Sequence, residues 1–85
     1  RLDDEGVDKL LTGLDEHPNS VVSLNLANNQ LTDKTGARLA RYLATSTAIT
    51  ALFLSGNRLG LATYEAVAQA LQVNTSLGSL FMWSN

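Results

Sequence analysis

Residues 24–31 read LNLANNQL, and residues 52–59 read LFLSGNRL. The two octets share their first two leucines, the second asparagine and the last leucine. A third version, LFMWSN at 80–85, keeps the asparagine and puts Met82 where a leucine stood. The period extends outward from these lines without gaps. Val21, Ile49 and Leu77 stand 28 residues apart, and so do Asn29, Asn57 and Asn85. At the same step Leu39 matches Val67, Ala40 matches Ala68 and Leu43 matches Leu71. Toward the N-terminus the shift becomes 29, placing Leu2, Leu10, Leu11 and Leu14 under Leu31, Leu39, Ala40 and Leu43. The extra residue falls in DEHPNS, where Pro18 ends any helix because it lacks an amide hydrogen and crowds the preceding turn. A fixed period of about 20–50 residues predicts an array of stacked units.

Two spacings alternate within each period. Leu24-Asn-Leu26 and Leu52-Phe-Leu54 alternate as a short strand does when every second side chain enters a core. Leu39, Ala40, Leu43 and then Val67, Ala68, Leu71 run at i, i+1, i+4, one stripe of a helix. Asp3, Thr32 and Gly60 share the column just before these stripes, and all three residue types favour helix N-caps. The pattern therefore predicts helices near 4–16, 33–45 and 61–73, and strands near 22–26, 50–54 and 78–82. Strands separated by a helix are expected to be parallel, with right-handed crossovers.

The repeated asparagine has a physical reason. After a short strand the chain turns away, and backbone N–H and C=O groups are left without ladder partners. A carboxamide carries both donor and acceptor, so it can bond the backbone on both sides. Asn29, Asn57 and Asn85 are accordingly expected to form a ladder between neighbouring units, in which neither Ala nor Asp substitutes freely.

With these residues in view, LNLANNQLTDKTGARLARYL and LFLSGNRLGLATYEAVAQAL resemble the ribonuclease-inhibitor type of leucine-rich repeat. LDDEGVDKLLTGL resembles the helical half of that repeat, with Gly6 at the family's usual glycine. The resemblance spans essentially the whole chain and implies an α/β solenoid, a horseshoe segment of about three helix–strand units with a short parallel sheet on its concave face. It departs at Gly36, which arrives one residue later than Gly6, and in the third unit, where Thr63 and Tyr64 stand instead. Residues 1–85 are expected to form one segment, with repeat junctions near 20/21, 48/49 and 76/77. Because it opens on a helix and closes on a strand, it is expected to be a piece of a longer array, or to self-associate through uncovered repeat ends.

Composition narrows the chemistry. The 85 residues carry a net charge of −2, with 45% hydrophobic and 16% charged residues, which suits one globular unit. No cysteine is present and His17 is the one histidine, so neither a disulfide, a Cys–His pair nor a zinc site is expected, and no cofactor. A Ser–His–Asp triad would need His17, which sits on a loop remote from the serines of the strands. SGNRLG lacks the lysine of a phosphate loop and reads as a turn. Six scattered Lys and Arg argue against nucleic acid, and no apolar run approaches the roughly 20 residues of a membrane span. Cellular location is left open between the cytoplasm and an exported effector.

Function is thus expected on the strands. With Leu24 and Leu26 facing inward, Ser23, Asn25 and Ala27 face the opposite side, as do Ala51, Phe53, Ser55 and then Ser79, Phe81, Trp83. Phe53 falls beside Phe81, with Trp83 diagonal to Phe53. These rings, rimmed by Asn25, Ser55 and Ser79, are read either as a hot spot for a protein partner or as sheet-stabilising neighbours. The expected function is a non-catalytic protein-interaction module. The resemblance adds two alternatives, a GTPase-activating or other regulatory repeat domain, since the family includes Ran GTPase-activating proteins, and a purely structural segment of a receptor or effector. Arg38 and Arg41 are read as a solvated helix face, Asp3, Asp4 and Glu5 as charge complementing a helix N-terminus. Leu61, which replaces the aspartate of Asp4 and Asp33, is either a packing substitution or a contact surface. Leu52 is placed at the centre of the core, so Leu52→Ala should cost about 2–5 kcal/mol in urea unfolding.

Overall fold

A computed structural model describes residues 2–17 and 21–85; Pro18 and the junction at Ser20 lie outside the described residues. The chain is a small α/β domain whose elements run α1 (Asp4–Asp15), β1 (Ser23–Asn25), α2 (Asp33–Thr45), β2 (Ala51–Phe53), α3 (Leu61–Leu71) and β3 (Ser79–Phe81). The helices begin where the caps place them, while α1 stops one residue short of the expected end and α3 two. The strands form one parallel sheet in the order β1-β2-β3. Its register repeats the sequence period: Leu24 pairs with Leu52 and Leu52 with Leu80, while Asn25, Phe53 and Phe81 share the next row.

The core lies between sheet and helices. Leu52, Leu54 and Ile49 from around β2 are fully buried, together with Leu31, Leu39, Tyr42 and Leu43 from around α2 and Val7 and Leu11 from α1. Leu24 and Leu80, in the same row as Leu52, are only half-buried, because each has a strand on one side. The helical stripe holds for Leu39, Ala40 and Leu43 but not on α3. There Val67 is buried while Ala68 and Leu71 are exposed, and Ala70 turns inward instead. Among the helices α3 packs against α2 only, so its apolar stripe is covered by a helix on one flank.

Two polar ladders tie the units together. Asn57 Oδ1 accepts from the amides of Asn29 and Leu31 at 3.1 and 3.2 Å, and its Nδ2 donates to the carbonyls of Leu26 and Leu54 at 3.0 and 2.8 Å. Asn85 Oδ1 accepts from Leu59 N, and Asn29 Oδ1 from Leu2 N. The residue before each asparagine, Asn28, Gly56 and Ser84, takes a left-handed conformation with φ of 60°, 74° and 60°. That turn re-aims the chain so the following carboxamide points back under the strand. Side chains are disfavoured there, and at Gly56 a Cβ would also meet Asn28 Oδ1 at 2.2 Å.

The second ladder runs along the helix starts. Asp3 caps α1 by accepting from Gly6 N, and Thr32 caps α2 through Lys34 N. Gly60 has no side chain with which to cap α3. Asp33 of the preceding unit does so instead, accepting from Gly60 N at 2.8 Å, Thr63 N at 3.2 Å and Thr63 Oγ1 at 2.6 Å. Asp4 likewise accepts from Thr32 N, Thr32 Oγ1 and Thr35 Oγ1. Gly36 makes room for the link: a Cβ there would lie 1.8 Å from Thr63 Oγ1. Asp4 and Asp33 therefore bridge units, beyond any dipole role.

Arg38 corrects the sequence reading. It is 8% exposed rather than solvated, with Nε 3.0 Å from Asp8 Oδ1 and Nη2 bonded to Asp15, while Arg41 is exposed. Its guanidinium spans the α2–α1 seam, and two carboxylates offset the cost of its desolvation.

The Thr63 hydroxyl and the Gly60 amide hold the Asp33 carboxyl below its usual range. Burial raises Asp4, but bonds from Thr32 and Thr35 outweigh it and also leave that carboxyl lowered. Both groups release protons on folding, so their stabilisation is present above the unfolded value of about 3.9 and is lost as pH falls through the lower folded value. Urea midpoints should therefore drop as pH is lowered below about 4, and less steeply for Asp33→Asn than for the parent chain.

Candidate functional site

The open face of the sheet is built by strand alternation. Leu52 and Leu54 enter the core, which leaves Ala51, Phe53 and Ser55 on the other side, partly exposed. In-register parallel pairing then sets Phe53 against Phe81 at the spacing of neighbouring strands, about 4.8 Å. Their ring centroids are 4.9 Å apart with planes within 7° of parallel. Trp83, two residues beyond Phe81 on the same side, turns its ring edge-on to Phe81 at 5.9 Å and 65°. The indole thus meets Phe81, whose other face stacks on Phe53. Such pairs contribute about 0.5–1.5 kcal/mol beyond area burial. Trp83 nonetheless remains 71% exposed, the most open aromatic of the cluster.

These rings line a shallow hollow of about 360 Å³ with Asn25 and Ser55 at its rim. The turn residues Asn28, Gly56 and Ser84 also line it, a contribution the alternation of the strands did not suggest. Their left-handed backbone brings the turns up beside the rings, and the spacing of Gly56 to Asn28 was the signal available. Ser79 is exposed on β3 but does not line the hollow. No lining residue is charged. Asn25 Oδ1 is engaged by Ala27 N at 3.0 Å, while Ser55 Oγ is buried without a hydrogen-bond partner among the described residues. The chemistry on offer is therefore apolar and stacking contact with a few neutral polar groups.

Asn29, Asn57 and Asn85 sit behind this face, bonded to backbone as described. A further asparagine, Asn74, plays a comparable part at the α3–β3 turn. Its Nδ2 donates to the Leu43 and Ser46 carbonyls, and its Oδ1 accepts from Ser76 N and Leu77 N. Sequence reasoning missed it because the same column holds Ser46, so no repetition marks it.

Larger hollows of about 580 and 450 Å³ lie on the helix side, in the α1–α2 seam around Asp4, Asp8, Asp15, Arg38 and Arg41. Within their lining Arg38 is paired with Asp8 and Asp15, and Asp4 accepts from Thr32 and Thr35. His17 lies in the exposed turn after α1. Among the described residues no cluster of three or more His, Asp or Glu is placed to hold a metal ion, and no helix is long and apolar enough to cross a membrane. The chain matches no family model and no curated protein.

Because Trp83 is the one tryptophan, its fluorescence reports this face alone. Its emission should be that of a solvated indole, readily quenched by acrylamide, and Trp83→Ala should change unfolding stability by less than about 1 kcal/mol.

Proposed function

We propose that this chain is a leucine-rich-repeat segment of the ribonuclease-inhibitor type that binds a protein partner on its concave strand face, without catalysis. The fold reading is supported by the 28-residue step that sequence and strand register share, and by asparagines that bond to backbone of two successive units. In a solenoid of this kind the sheet lines the inner surface, and its outward row is free to vary.

One observation carries the functional reading: Phe53, Phe81 and Trp83 form a continuous aromatic surface that remains accessible, with Trp83 71% exposed. Large rings anchored on rigid strands and rimmed by neutral polar groups are the composition found where interface energy concentrates. Asn25 and Ser79, both exposed, would supply the peripheral hydrogen bonds. A partner segment with apolar side chains fits a hollow whose lining bears no charge.

The experiment compares proteins retained by the immobilised chain with those retained by a Phe81→Ser, Trp83→Ser variant and by Glu65→Lys on the exposed part of α3. The reading expects a partner captured by the parent and by Glu65→Lys but lost from the double variant, whose melting temperature stays close to the parent's. If the double variant instead unfolds at a much lower temperature, the rings serve the sheet, and the reading fails.

A further inference from the structure

The hollow on the sheet face is one-sided in its hydrogen bonding. Its floor is two rows of residues, Asn25–Phe53–Phe81 and Ala27–Ser55–Trp83. Backbone acceptors along these rows are occupied. The carbonyls of Phe53, Ser55, Phe81 and Trp83 accept from the amides of Leu26, Asn28, Leu54 and Gly56 at 2.8, 2.9, 2.7 and 3.1 Å. Side-chain acceptors are spent or covered as well: Asn25 Oδ1 accepts from Ala27 N, and Ser55 Oγ is buried. What stays open in the two rows donates. Asn25 Nδ2 and Trp83 Nε1 make no hydrogen bond among the described residues, and both residues line the hollow.

An ordinary peptide laid on this floor brings one N–H for each carbonyl, and an N–H pressed against the rings finds no acceptor. Proline brings the carbonyl without the N–H, together with an apolar ring. We propose that the partner segment taken by this face is proline-rich and in the polyproline II conformation, a choice that rests on the partner-binding reading above and gives it one chemistry. Its pyrrolidine rings pack on Phe53, Phe81 and Trp83, while its carbonyls accept from Trp83 Nε1 and Asn25 Nδ2. Polyproline II has no internal hydrogen bonds, so those carbonyls are free, and the helix is already formed before it binds. The dimensions agree. Strands β1 and β3 stand two strand spacings apart, about 9.6 Å, and one polyproline turn of three residues advances about 9.3 Å. A segment crossing the strands therefore presents equivalent carbonyls to Asn25 on β1 and to Trp83 just beyond β3. The lining carries no charge, and neither does the occupant.

Titration of the chain with decaproline, followed by Trp83 emission and by the NMR amide signals of Ala27 and Gly56, tests this. Saturable shifts are expected at all three. An alternating proline–alanine decapeptide, which restores N–H groups to the segment, should bind at least about five-fold more weakly. Trp83→Phe keeps a ring but removes the indole donor, and should weaken decaproline binding by about five-fold in the NMR titration with unchanged circular dichroism. Glu65→Lys on α3 should leave binding as it is. Decaproline that gives no saturable shift, binds no more tightly than the alternating peptide, or binds Trp83→Phe as tightly as the parent overturns the proline assignment. Partner capture that still requires Phe81 and Trp83 would in that event leave the broader reading standing.

Discussion

The Asn57 carboxamide holds the structure to its period. It is 6% exposed, and all four of its hydrogen bonds reach backbone: two carbonyls from Leu26 and Leu54, two amides from Asn29 and Leu31. Those groups belong to two successive turns of chain, so one side chain satisfies what each turn leaves unpaired on departing the sheet. Buried backbone polar groups without partners cost about 1–3 kcal/mol each, which makes the position intolerant of groups lacking either donor or acceptor. The aspartate ladder of Asp4 and Asp33 plays the matching role at the helix starts. Between them lies the leucine core, which supplies cohesion without register; the polar ladders supply the register.

That division explains what could be read from sequence. Leucine alternation and the i, i+1, i+4 stripe report burial within one unit, and they located every helix and strand to within about two residues, the usual fraying of element ends. The row of Asn25, Phe53 and Phe81 followed directly from alternation plus a constant step. What escaped depends on contacts between units that periodicity does not mark. Arg38 sits beside Leu39 on a helix and looks like a surface cation until Asp8 and Asp15 of the preceding helix are seen to neutralise it. Asp33 caps a helix 28 residues away because Gly60 cannot. Leu71 repeats Leu43 in sequence but lacks its covering neighbour, so identity of residue type did not bring identity of burial.

The aromatic face follows from the same economy. Once alternate strand residues are committed to the core, the other row is released from folding constraints and can carry recognition. Phe53 and Phe81 occupy that row on two adjacent strands with Trp83 just beyond, and rigid parallel pairing fixes the separation of the two phenylalanines, which would limit the entropy lost if a partner binds there. The proposed solenoid would present this surface on its inner side.

The central claim is that a buried carboxamide welds successive turns into one cooperative body. Amide hydrogen exchange measured by NMR at Asn29 and Leu31, the two donors to Asn57, tests it most directly. Both amides should exchange only through global unfolding, and Asn57→Leu should bring them to the rate of solvated backbone while also destabilising the whole chain. Fast exchange at either amide with Asn57 intact would contradict the account.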